Sequence, residues 1–313
     1  MAAKLQILMY HRVLARRDPM LPEVPDAAEF RQQMLTLKRL FHVLPLQEAA
    51  RHLGEASLPD RAVSITFDDG YRDNLLIAAP ILRSLSLPAS LFVASGFLDG
   101  GVMWNDVLIE SARTTPLERI DLEEFGIRDY EPTSYAARKE LADRLVQTIK
   151  YHPTEERTSI TESLAQRLKA NVDRNLMLKT KDLQKLLSLG IEIGAHTVNH
   201  PILTQCSAKE AHAEVTQNRD FLQASIQKSI VGFAYPNGKP GVDYDLTHRN
   251  LVDALGFEYA VSTAWGTANA SDDRLQLPRL GFPGAGFVTF PLRMLKSSRD
   301  RANGLLQTGQ QRS

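Results

Sequence analysis

The stretch Ala-Val-Ser-Ile-Thr-Phe-Asp-Asp-Gly at 62–70 most constrains the fold. Val63, Ile65 and Phe67 alternate with Ser64, Thr66 and Asp68, the period of a strand with one apolar face. Apolar residues then recur at helical spacing through Leu75, Leu76, Ala79, Leu82 and Leu85. A strand therefore delivers Asp68 and Asp69 to its C-terminal end, Gly70 permits a sharp turn, and a helix leaves. In α/β barrels and open α/β sheets, that end of the strands is where sites are built. Two adjacent carboxylates repel there unless a cation or a shared proton relieves them. Taken alone, the stretch serves equally as a solvated Asp-Asp-Gly turn.

The same alternation of strand and helix organises the first hundred residues, which argues for a parallel sheet of β-α units. Strands are expected at 4–10, 62–67 and 89–94, with helices at 26–40, 46–53 and 71–86. The rhythm stops over 105–189, which reads as a charge-rich helical insertion without a convincing strand. It resumes with strands at 191–195, 230–234 and 257–262, and helices at 208–224, 244–255 and 290–297. One domain over 1–298 is expected, followed by a frayed polar tail at 299–313.

Composition narrows the function. Lys plus Arg and Asp plus Glu both number 37, so no nucleic-acid partner or anionic surface is implied. One cysteine, Cys206, excludes an internal disulfide and a cysteine-based zinc cluster, so any metal must be held by histidine and carboxylate. No apolar run of about 18 residues is present to span a bilayer. The first residues read as a strand rather than a secretory leader, and the default expectation is a cytoplasmic protein.

Four strand ends carry polar residues: Tyr10-His11, Asp68-Asp69, His196-Thr-Val-Asn-His200 and Tyr235-Pro-Asn-Gly238. Histidines four apart share one face of a helical turn, so both imidazoles can reach one ion. Two histidines and a carboxylate suit zinc or another divalent cation, and leave the second carboxylate as a general base. That arrangement points to metal-assisted hydrolysis of a carbonyl compound.

Thr-Phe-Asp-Asp-Gly at 66–70, followed by His-Thr-Val-Asn-His at 196–200, resembles the first two motifs of the polysaccharide deacetylases, the NodB-homology domain of carbohydrate esterase family four. The resemblance spans roughly residues 4–285. It implies a deformed (β/α) barrel that removes N-acetyl groups from N-acetylglucosamine-type residues of a glycan or glycan precursor. Carried over, Asp68 is the general base, and Asp69, His196 and His200 hold the metal. Zinc is the first expectation, with cobalt, nickel or ferrous iron as alternatives.

Phe233-Ala-Tyr-Pro-Asn-Gly238 matches the third motif, so the backbone N–H of Asn237 is expected to meet the oxyanion. The family's usual arginine is absent at Ala234, and Arg279 is the candidate replacement. The leucine-x-histidine motif of the general acid is found at Leu8–His11 instead of the C-terminus. That order resembles a circularly permuted branch associated with exopolysaccharide deacetylation, and makes His11 the candidate acid. Trp104, Asn105, Tyr235 and Pro236 are candidate sugar contacts. Peripheral association with a glycan-assembly machinery fits such a substrate. Two rivals remain at this point: a cyclic imide or amide hydrolase on the same barrel, and a silent glycan-binding protein, whose only support is Ala234.

Overall fold

The computed structural model describes residues 4–282, 284, 286, 289–298, 300, 302 and 304–307. Most of the expected polar tail at 299–313 lies outside them, as do Met1 to Ala3. The part described is anchored: the backbone N–H and C=O of Leu306 both bond to the Gln276 side chain.

The first strands and helices are β1 (Lys4–Tyr10), α1 (Ala27–Leu40), β2 (His42–Val43), α2 (Leu46–Gly54), β3 (Ala62–Phe67), α3 (Ala79–Ser84) and β4 (Ala89–Val93). The insertion follows: α4 (Trp104–Thr114), β5 (Ile120–Leu122), β6 (Ile127–Tyr130), α5 (Tyr135–Ile149), α6 (Thr154–Arg167) and α7 (Asp182–Ser188). The chain returns through β7 (Ile191–Ala195), α8 (Ala208–Ile226), β8 (Gly232–Ala234), α9 (Leu246–Ala254), β9 (Tyr259–Trp265), β10 (Ala268–Asn269), β11 (Leu277–Arg279) and α10 (Thr289–Ser297).

The main sheet runs in the order β10-β1-β3-β4-β7-β8-β9-β11, with β2 beside β3. All its pairs are parallel except β1 with β10. It closes on itself just past β11, where Leu280 donates to Ile7 and accepts from Met9. The result is a nearly closed, deformed (β/α) barrel.

Side chains alternate across each strand, so every strand has an inward and an outward set. The outward set of β3 is Val63, Ile65 and Phe67, which join the larger core beneath α1, α3 and α8. The inward layer holds Leu5, Ile7, Phe92, Val261 and Leu277, closed from below by Leu46, Ala49 and Leu53 of α2. Gly194 and Gly232 leave the room that Phe92 and Tyr259 fill; a Cβ at either would stand 2.5 or 2.4 Å from the ring.

The insertion differs from the helical expectation. β5 and β6 pair as a short antiparallel hairpin whose Ile120, Leu122 and Ile127 pack into a separate core with Leu108, Leu141 and Leu145. Runs of three or four residues are too short for periodicity to reveal. The helix after Gly70 also departs from regularity: Asn74–Ala78 is a π-helical turn, and its Asn74 side chain donates to the carbonyl of His11. Among the described residues no helix is long and apolar enough to cross a membrane.

Candidate active site

Inward parity carries three polar residues to the barrel mouth. Asp68 continues the set Ala62, Ser64, Thr66; His196 continues Gly194; Arg279 continues Leu277. Each is at most 2% exposed. Asp69 is off that parity and is brought in by a left-handed backbone (φ 76°), as Gly70 beside it is (φ 96°). Thr197 (φ 65°), His200 (φ 50°) and Asn237 (φ 56°) share this costly conformation at the mouth.

Arg279 grips Asp68 with a two-pronged contact, Nη1 to Oδ1 at 2.8 Å and Nη2 to Oδ2 at 2.7 Å. Its Nε donates to the Ser262 carbonyl at 2.9 Å, which fixes the plane of the fork. Burial pushes the Asp68 carboxyl up, but the guanidinium outweighs it and holds the group below the usual carboxylate range. Arg279 thus pairs with Asp68, while Ala234 offers its carbonyl to His196 Nδ1 at 2.8 Å.

That contact aims His196 Nε2 at Asp69, 3.4 Å from Oδ1, while His200 Nε2 is 3.5 Å from the same oxygen. The two rings are 4.8 Å apart at 66°. The sequence suggested a helical turn for this pair, but 196–200 is an irregular loop. Its shape comes from side chains. Thr197 Oγ1 accepts from the His200 N–H, and Glu214 on α8 accepts from the backbone of Val198 and Asn199.

Asp69, His196 and His200 offer donor atoms within 4.8 Å of one another. Asp69 Oδ1 and His200 Nδ1 are buried without a hydrogen-bond partner. Burial pushes the His200 imidazole down to about 3, so it is neutral with a lone pair free at ordinary pH. Orphaned oxygen and neutral nitrogen donors are what a divalent cation requires, so these residues fit a metal ion.

These groups line a cavity of about 360 Å³ together with His11, Trp104, Asn105, Tyr235 and Asn237. His11 follows β1 and is exposed at the mouth. Among the described residues the Asn237 N–H has no intramolecular acceptor, while its carbonyl accepts from Thr263 Oγ1. Tyr235 contributes little free surface: its ring is buried, stacked on Tyr244 at 3.8 Å, and its hydroxyl donates to the Leu275 carbonyl. Pro236 is buried beside it. His248, outside the cavity, is 8% exposed and accepts from the Asp245 N–H at the start of α9. Cys206 is half-buried with its thiol pushed up to about 11, which makes it a poor nucleophile.

Several participants escaped the sequence reading. Asn218 accepts from the His196 N–H and donates to Val93 and Ser95. Its one signal is position, since it falls on the buried stripe Ala211, Val215, Leu222 of α8. Asp106 of α4 lines the cavity and accepts from the Tyr71 hydroxyl at 2.9 Å. Arg12 lies over the Tyr71 ring and pairs with Asp73 at 2.8 Å.

Fold and site together give a (β/α) barrel with a pinned carboxylate beside an Asp-His-His group at the C-terminal ends of parallel strands. The sequence profile of the polysaccharide deacetylases matches residues 141–260, which include His196, His200 and the loop at Asn237. A curated Bacillus subtilis (strain 168) relative, YxkH, named for the same family, is 21% identical over 92% of this chain and 76% of its own. The Streptococcus pyogenes deacetylase PplD superposes with a TM-score of 0.63 at 21% identity, covering 96% of this chain and 100% of that one. IcaB from Ammonifex degensii gives 0.61 at 18% identity, over 93% and 97%. Residues 141–260 are thus similar to the polysaccharide deacetylase family, and the fold over nearly the whole chain is that of solved deacetylases.

Proposed function

We propose that the protein is a metal-dependent deacetylase that hydrolyses N-acetyl groups of N-acetylglucosamine-type residues in a glycan or its precursor. The observation that carries this reading is the Asp69, His196, His200 group set directly beside an Asp68 pinned by Arg279. A divalent ion bound by those three residues, zinc first among candidates, supplies Lewis acidity toward water and the acetyl oxygen. Asp68 is held ionised by Arg279, so it can accept the proton of the attacking water. Asn237 lines the same cavity with its N–H unpaired among the described residues, and that N–H can donate to the oxyanion as it forms. His11 stands at the mouth and can give a proton to the departing amine. Trp104 and Asn105 offer the remaining contacts for the sugar. The Streptococcus pyogenes neighbour was solved with acetate, the product such a reaction releases.

The test is metal content and acetate release on wild type, His196→Ala and Asp68→Asn. The expected result is about one divalent ion per chain, lost in His196→Ala, with Asp68→Asn folded but releasing no acetate from N-acetylglucosamine oligomers. Metal without acetate from any amino sugar would move the reading to another amide or imide. Failure to load metal would leave a silent binding protein.

A further inference from the structure

A second cavity, about 620 Å³, shares Trp104 as a lining residue with the catalytic one. Helices α4 and α6 and the segment after α6 build its wall. Arg157, in the first turn of α6, lines it and is only 2% exposed. A guanidinium so buried ordinarily faces a carboxylate. This one does not. Among the described residues its recorded hydrogen bond is Nη1 to the Lys150 carbonyl at 3.3 Å, Nε has no partner, and no carboxylate lies within ion-pair distance. Its carbon sits 4.9 Å over the Trp104 ring.

Arginine stays charged even when buried, and it carries five N–H donors, most of them unused here. An uncompensated buried cation costs stability, so the fold keeps it against its own interest. The cavity beside it is large enough for a sugar-sized group. Thr158, Gln166 and Asn171 line it with further hydrogen-bonding groups, and Arg174 stands exposed at its edge. Glu162, the one carboxylate among the lining residues, is solvent-exposed.

We infer that this cavity is an anion subsite, where Arg157 receives a phosphate or carboxylate on a sugar unit adjoining the one in the catalytic pocket. A planar guanidinium fork matches the oxygens of both groups. Trp104 lines both cavities, so one glycan can occupy the two with the indole between its units. The inference rests on the deacetylase reading for the nature of the sugar, but not for the anion.

The test needs no turnover. The chain has two tryptophans, so the full-length Trp265→Phe protein reports on Trp104 alone. Its fluorescence is titrated with N-acetylglucosamine, N-acetylglucosamine 1-phosphate, and a disaccharide of N-acetylglucosamine with glucuronate. At least one of the anionic sugars should saturate the signal at a concentration tenfold or more below the neutral one. Arg157→Met should abolish that difference and Arg157→Lys should keep part of it. Arg157→Met should hold or raise the thermal midpoint, whereas a purely structural arginine predicts a fall. No anion preference in wild type, or one that survives Arg157→Met, overturns the subsite. Arg157→Lys keeps the question decidable if the methionine variant does not fold. Acetate release measured in parallel separates the two readings: anion preference without acetate defeats the deacetylase alone, and acetate without anion preference defeats the subsite alone.

Discussion

Arg279 and Asp68 form an ion pair with both side chains almost wholly out of water. Such a pair is weak evidence of net stabilisation, but losing one partner strands the other. Arg279→Met is expected to cost about 3–5 kcal/mol in urea unfolding. It should also cut kcat/KM on the order of a hundredfold, because the carboxylate is no longer held in place. With the largest lowering influence gone, the Asp68 pKa rises, so the acid limb of the rate profile moves to higher pH. In the wild type the group is depressed, so its contribution to stability is present above the unfolded pKa of about 4 and is lost as pH falls through the folded value. Asp106 has the opposite sign. Burial pushes its carboxyl up to about 7, so the native state retains a proton that the unfolded chain releases from about pH 4. Stability should therefore decline between about pH 4 and 7, by about 4 kcal/mol in total at 1.4 kcal/mol per pH unit. Asp106→Asn should flatten that slope in chemical denaturation followed across the interval. An unchanged slope would show that Asp106 is ionised in the fold.

Helix α8 connects the two histidines to the barrel. Its capping box, Ser207 with Glu210, fixes where it starts, and its buried stripe then brings Asn218 under His196 and Glu214 under the 198–199 backbone. Asn218→Ala orphans the His196 N–H and the Val93 carbonyl, each worth about 1–3 kcal/mol when buried without a partner. Lower thermal stability and weaker metal retention are expected together, read by calorimetry and by competition with a chelator. A loss of stability with metal affinity intact would separate α8 from the site. The sequence made the strand ends legible here, because alternation has a period of two and polar residues interrupt it visibly. Asp68, His196 and Arg279 follow that parity; the motifs singled out Asp68 and His196, whereas Arg279 was reached only as a candidate for the arginine absent at 234. The loop shape at 196–200 was not legible, since it depends on Glu214 and Asn218, which are distant in sequence and unremarkable in composition. The β5–β6 hairpin was hidden for a different reason: its strands are shorter than one detectable period.

At the scale of the molecule, the order of β-α units foretold a parallel sheet, the family resemblance implied that it curls into a barrel, and the closing contacts place its two ends together. Leu8 meets Leu280, so His11 from the first strand and Arg279 from the last reach the same mouth. The histidine motif and the loop at Asn237 fall between them in the chain. No sequence signal fixed that closure, because sequential distance says nothing of which edge strands meet; only the displaced Leu8–His11 motif hinted at it. The insertion, with its own core, stands over one side of this mouth through Trp104 and Asp106.

The seam between Leu8 and Leu280 has a consequence for the timing of synthesis. A ribosome emits Asp68 more than two hundred residues before the arginine that pins it. Until β11 and Leu280 emerge and close against β1, Asp68 has no guanidinium and the barrel has no last wall. The nascent chain can accordingly hold most of its secondary structure and still be chemically inert, so hydrolytic competence arrives late, as a property of the finished ring.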